Sequence, residues 1–235
     1  MRSERTPRAG VEPLVSIVVP AYQAEAYLAE ALESAFAQDY KRREVILVDD
    51  GSTDRTAEIA AAHGVTVVPQ ANGGPAVARN AGLARARGDF LAILDSDDIW
   101  PVDRLSLQVA HLLEHPEDGM VMGLTEVFVT PGEPRPRHYP RIAETGPYPG
   151  HPSTALMRRE TFELVGPFDE SLRLSEDLDW LARAGDAGVR IGRLERTVLC
   201  YRIHAANTSR QTQAVESATL RMLRASVKRK RGEHV

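Results

Sequence analysis

Residues 90–100 read Phe-Leu-Ala-Ile-Leu-Asp-Ser-Asp-Asp-Ile-Trp, an apolar run that ends in three carboxylates within four residues. Asp95, Asp97 and Asp98 repel one another unless positive charge sits among them. A hard divalent cation suits such oxygen ligands, with Mg²⁺ or Mn²⁺ the usual occupant. The same acids also read as a solvated turn at a strand end. A second acid pair, Asp49-Asp50, closes another apolar run ahead of Gly51-Ser52, and a third cluster, Glu176-Asp177 with Asp179, lies far downstream. By spacing alone, Ser175 reads as an N-cap with Glu176 and Asp177 as first-turn acids that favour the helix dipole.

The elements that would carry these acids can be read from hydrophobic periodicity. Apolar, β-branched runs over 14–19, 44–48, 65–68 and 90–94 predict buried strands. Helical spacing covers 25–38, 56–62 and 76–86, and Gly64 and Gly88 stop the second and third of these. Strand and helix thus alternate, which predicts an α/β fold: a Rossmann-like, mostly parallel central sheet flanked by helices. In such open sheets ligands bind beyond the carboxyl ends of the strands. Pro20-Ala21-Tyr22, Asp49-Asp50 and Asp95-Ser96-Asp97 all fall at such ends, so a single rim collects them. Beyond Trp100 the pattern predicts a helix over 102–115, a strand over 119–130 and a long Pro- and Gly-rich loop over 131–149. A short strand (153–157), a short helix (159–165), a helix from 175 to about 187, a last strand (198–203) and a tail helix from 211 follow. The organisation expected is a flexible segment over 1–12, one domain over 13–210 and a C-terminal helix with a basic tail over 211–235.

Composition narrows the class. The chain has 235 residues and a net charge of -4, which argues against nucleic acid as a partner. Its one cysteine, Cys200, excludes an intrachain disulfide and a cysteine-based zinc cluster. No apolar run is long enough to span a bilayer and the N-terminus lacks the apolar centre of a signal peptide, so a cytoplasmic protein is expected. The run Ser226-Val-Lys-Arg-Lys-Arg offers peripheral contact with an anionic membrane at its inner face, and the tail helix offers a surface for a homodimer.

Taken in order, the motifs resemble the inverting glycosyltransferases of family 2, which have the GT-A fold. They are Val-Ser-Ile-Val-Val-Pro-Ala-Tyr (15–22), Val-Asp-Asp-Gly-Ser-Thr-Asp (48–54) and Asn-Gly-Gly-Pro-Ala-Val-Ala-Arg-Asn-Ala-Gly (72–82). Leu-Asp-Ser-Asp-Asp (94–98), Ser-Glu-Asp-Leu-Asp-Trp (175–180) and Tyr-Arg-Ile-His (201–204) complete the series. The resemblance implies a nucleotide-sugar donor, a UDP-sugar above all, a hydroxyl acceptor of unstated identity, and Mn²⁺ or Mg²⁺ as cofactor. By the same resemblance Pro20 and Tyr22 lie against the base, Asp50 accepts from its edge, and Arg79 holds base or phosphates. Asp95 reaches the ribose or donor sugar, Asp97 binds the metal with His204, and Asp177 is the general base. The pathway implied is cell-surface polysaccharide or glycoconjugate synthesis. The Gln-x-x-Arg-Trp motif of polymerising relatives is missing, so one sugar per encounter is expected.

Other residues carry simpler readings. Asp49 reads as a turn acid, Asp98 as a helix cap, Trp100 as packing, and His111 and His115 as solvated helix histidines. Tyr139, Tyr148 and His151 border the long loop, where an acceptor could touch them. Two further functions compete. A phosphoacceptor receiver module also places acids after strands, but it needs a lysine after a later strand, and Lys41, Lys228 and Lys230 are wrongly placed. A non-catalytic nucleotide-sugar-binding protein would not need Asp97 and Asp177 together.

Overall fold

The structure, a computed structural model, describes residues 12–132, 146–205, 207 and 226. The expected tail helix, nearly all of the basic tail, most of segment 1–12 and most of the loop after Pro131 lie outside the described residues. The strands are β1 (Val15–Ala21), β2 (Arg43–Asp49), β3 (Thr66–Pro69), β4 (Phe90–Ile93), β5 (Met120–Val129), β6 (Tyr148–Pro149), β7 (Leu156–Arg158) and β8 (Ile191–Ile203). The helices are α1 (Leu28–Phe36), α2 (Thr56–Ala62), α3 (Pro75–Leu83), α4 (Arg104–Glu114), α5 (Arg159–Val165) and α6 (Glu176–Asp186), with a 3-10 turn at Pro152–Thr154.

These strands form one sheet in the order β3-β2-β1-β4-β7-β5-β6, with β8 paired in parallel to β5. The half holding β3, β2, β1 and β4 is parallel. Antiparallel β7 joins it to β5. Residue alternation explains why both faces are covered. Val15, Ile17 and Val19 of β1 join Leu28, Leu32 and Leu105 in one core. Val18 faces the other way, into a core with Ile46, Val48, Leu83 and Trp180. A two-residue side-chain period in strands buried on both faces requires this split. Because β2 and β4 flank β1 on opposite sides, the chain diverges at β1 and leaves a crevice at the strand ends.

Four expectations need correction. The last strand begins at Ile191, well before 198. Charged Arg193, Glu195 and Arg196 hide it, because half of that strand faces solvent. Asp98 does not cap α4: it is fully buried and accepts from the backbone N–H of Arg202 at 2.9 Å. Ser175 precedes α6 but its hydroxyl makes no cap, since the residue is left-handed at φ 61. His111 is not solvated; its Nε2 meets Asp118 Oδ2 at 2.9 Å.

Candidate active site

The first two strand ends are tied together. Tyr22, 54% exposed, follows β1, and Gln23 behind it has a positive φ of 49. The Gln23 backbone N–H donates to Ser52 Oγ at 3.0 Å, and its Oε1 accepts from the Thr53 N–H at 2.7 Å. Pro20, partly exposed, pairs with Val48 across the β1–β2 ladder. At the end of β2, Asp49 accepts from the Ser52 N–H at 3.0 Å, as a turn acid should. Asp50 is buried and holds the glycine loop. Its Oδ1 accepts from the Gly73 N–H and from Gln70 Nε2, each at 2.7 Å, and its Oδ2 accepts from the Gly74 N–H at 2.8 Å. A carboxylate has about four acceptor positions, so three are already engaged. Gly74 has φ 92, a conformation that side chains disfavour, and it turns the loop directly into Pro75 at the start of α3.

That helix delivers Arg79 to the centre of the site. Arg79 is buried; its Nη2 donates to Asp95 Oδ1 at 3.0 Å and its Nη1 donates to Glu176 Oε1. Asp95 Oδ2 in turn accepts from Ser153 Oγ at 2.6 Å. Burial pushes the Asp95 carboxyl up, but the Arg79 guanidinium and Ser153 hydroxyl outweigh it and hold the group below the usual range. Burial likewise opposes the charge on Arg79, and Asp95 and Glu176 more than restore it. Glu176 is pushed up by burial against the pull of Arg79. His151 accepts from the Ser153 N–H through Nδ1 at 3.3 Å and lies against the Tyr201 ring. Burial pushes the His151 imidazole down, which favours its neutral form.

Asp97 lies against the end of β8. His204 Nε2 meets its Oδ2 at 2.9 Å, and His204 lies against the Tyr27 ring. Asn207 shapes the turn: its Oδ1 accepts from the His204 N–H at 2.6 Å, and its Nδ2 donates to the Arg202 carbonyl at 3.1 Å. Arg202 Nε donates to the Asp97 carbonyl at 2.8 Å, and its guanidinium sits between the Tyr27 and Phe128 rings. The Asp97 carboxylate suits Mn²⁺ or Mg²⁺ and the His204 imidazole suits Mn²⁺ better than Mg²⁺, with further oxygen ligands to come from a diphosphate and water. Among the described residues no group of three or more His, Cys, Asp or Glu side chains could hold a metal alone.

Asp177 lines a cavity beside Arg79 and Ser153, whose floor is apolar: Met157, Phe168 and Trp180. Its acidic neighbours are engaged elsewhere. Glu176 is paired with Arg79, and Asp179 Oδ2 accepts from Arg183 Nε at 2.9 Å. The fold thus lines one cavity with Arg79, Ser153 and Asp177, bonds Asp95 to the first two, pairs Asp97 with His204 and sets Asp50 against the glycine loop. Sequence reading missed Ser153, Arg202, Asn207 and the pairing of Glu176. Only the Tyr-Arg-Ile-His run hinted at Arg202, and nothing marked Ser153.

Known proteins resemble this chain in sequence and in fold. Residues 16–167 match the family described as Glycosyl transferase family 2. A glycosyltransferase of Rickettsia typhi, RT0329, is 32% identical over 184 residues, covering 71% of this chain and 57% of that protein. EpsJ, a glycosyltransferase of Bacillus subtilis, is 30% identical over 214 residues, covering 81% of this chain and 61% of its own length. A Haemophilus influenzae glycosyltransferase is 41% identical over 113 residues, 44% of each chain. The chain thus spans about half to three-fifths of the length of these relatives. Staphylococcus aureus TarS 1-349, solved with UDP-GlcNAc, superposes with a TM-score of 0.68 at 25% identity, over 84% of this chain and 61% of that one. The Pyrobaculum calidifontis mannosyltransferase PcManGT, solved with GDP-Man and Mn²⁺, gives a TM-score of 0.74 at 23% identity, over 93% and 65%.

Proposed function

The chain belongs to glycosyl transferase family 2, and from that membership we propose that it moves a sugar from a nucleotide-sugar donor to an acceptor hydroxyl with inversion. The observation that carries the proposal is the placement of Asp177. Of the acids at the start of α6, Glu176 and Asp179 are held by arginines, and Asp177 lines the cavity next to Arg79 and Ser153. The reaction then balances in one displacement. The acceptor oxygen forms a bond to the anomeric carbon as that carbon's bond to the diphosphate oxygen breaks. Asp177 accepts the hydroxyl proton, and the nucleoside diphosphate leaves with the electron pair.

The donor's place follows from the strand ends. Tyr22 offers an exposed ring to a base, beside Pro20. Asp50 contributes through the loop it shapes, and its remaining acceptor position is assigned to a base edge. Asp95, on the strand end between Arg79 and Ser153, stands where a ribose or sugar hydroxyl would bind. Asp97 and His204 would hold a divalent ion, which supplies Lewis-acid stabilisation of the departing diphosphate. The solved complex of TarS with UDP-GlcNAc supports a UDP-sugar as donor. The glycosyltransferase names of the relatives support transfer rather than binding alone.

A screen of UDP-sugars, read by UDP release with Mn²⁺ or Mg²⁺ present, tests this directly. Turnover is expected in the native chain and not in Asp97→Ala or Asp177→Asn. Undiminished turnover by Asp177→Asn would remove that residue as the base.

A further inference from the structure

Arg79 is expected, by family resemblance, to touch the donor. Its surroundings point elsewhere. Both terminal nitrogens of its guanidinium are engaged by carboxylates of this chain, and its side chain is 7% exposed. One arm ends on Asp95, at the end of β4, and the other on Glu176, the residue immediately before Asp177. The contacts continue from Asp95 to Ser153 at 2.6 Å, so a line of polar contacts runs from the 3-10 turn to the first turn of α6.

The far end of that line needs an anchor. Ser175 enters α6 at φ 61, a left-handed conformation that a serine holds only when its surroundings enforce it. Its side chain makes no cap to help. The residue that follows is fixed, because Glu176 is buried and paired with Arg79. On the other side of Asp177, Arg183 ties Asp179 to the carbonyls of Val165 at 2.9 Å and Pro167 at 2.7 Å. Asp177 is therefore flanked by two fixed residues, one of them joined through Arg79 to the donor side.

We propose that Glu176 and Arg79 form a strut that positions Asp177 against the donor, acting through the backbone and not by touching substrate. The proposal rests on the reading of Asp177 as general base. An arginine suits the task because its planar fork can bond two carboxylates at once, whereas a lysine ammonium offers a single point of charge on a flexible stem. The strut gives the donor side and the base a common, fixed reference.

The test compares Glu176→Ala, Glu176→Gln and Arg79→Lys with the native chain, using UDP and Mn²⁺ for binding and UDP release from UDP-glucose or UDP-N-acetylglucosamine for turnover. Glu176→Ala should lower kcat per folded molecule about 100-fold, the scale of a base displaced by about 1 Å, with UDP affinity unchanged within about twofold. Glu176→Gln retains an oxygen for Arg79 and should recover kcat to within about tenfold of native. Arg79→Lys should lower kcat and leave UDP affinity intact. If Glu176→Ala does not fold, the other two variants decide by the same criteria. A kcat equal to native in Glu176→Ala and Arg79→Lys would overturn the strut, as would a parallel loss of UDP affinity in Arg79→Lys. Asp177→Asn separates the two readings: full turnover there removes the base, while a dead Asp177→Asn beside a fully active Glu176→Ala removes the strut alone.

Discussion

Asp97 and His204 meet at 2.9 Å although 107 residues separate them along the chain. β8 makes the meeting possible, because it runs parallel to β5 and ends at Ile203, one residue before the histidine. The bridge between Ile99 and Cys200 pins that strand to the acid loop. Removing either partner should therefore impair the same property. His204→Ala is expected to raise the Mn²⁺ concentration needed for half-maximal turnover at least about tenfold, and Asp97→Ala to abolish metal-dependent UDP binding. Metal titrations of turnover and calorimetry check the pair.

Asp50 should matter to loop order before it matters to chemistry. Asp50→Ala leaves the N–H groups of Gly73 and Gly74 without their acceptor, at about 1–3 kcal/mol for each that stays buried. The expected result is a lower urea midpoint together with weaker UDP binding. Asp50→Asn, which keeps one acceptor oxygen, should fall between Asp50→Ala and native in both measurements.

How closely α3 can approach the sheet is set by Gly82. A Cβ there would overlap Val18 Cγ1 and press on Val48. Gly82→Ala should destabilise the chain by about 1–3 kcal/mol through overpacking, read by equilibrium urea unfolding. Because the helix carries Arg79, donor turnover should fall more than the loss of folded protein accounts for.

The parallel half of the sheet was legible in the sequence, because β-branched runs ending in Pro20, Asp49 and Asp95 are hard to read in any other way. The strand-end acids were legible for the same reason: charge directly after a buried run has to be managed. What stayed hidden was tertiary. Nothing local says that Glu176 rather than Asp177 faces Arg79, since adjacent residues of a helix turn differ only in which neighbour they meet. Asn207 carried no signal of its own, yet its side chain builds the turn that presents His204. Asp98 read as a cap because acids often precede helices. Its burial follows from β8 folding over the acid loop, which no spacing rule anticipates.

Burial of Asp98 has a consequence for stability against pH. Desolvation, with Asp97 and Asp95 nearby, pushes its carboxyl well above the usual range, and among the described residues its Oδ2 has no hydrogen-bond partner. A carboxyl whose folded value exceeds its unfolded value of about 3.9 contributes fully below about pH 4 and loses that contribution as pH rises through the folded value. Asp98→Asn should therefore raise the melting temperature of the metal-free protein more at pH 8 than at pH 4. An equal effect at both would show that the group is ionised in the fold without penalty.

Calorimetric titration of UDP into the native chain, with and without Mn²⁺, tests the account most directly. The account requires saturable heat with Mn²⁺ present and its loss in Asp97→Ala, with Asp177→Asn binding as tightly as native. No heat from the native chain with both partners present would contradict it.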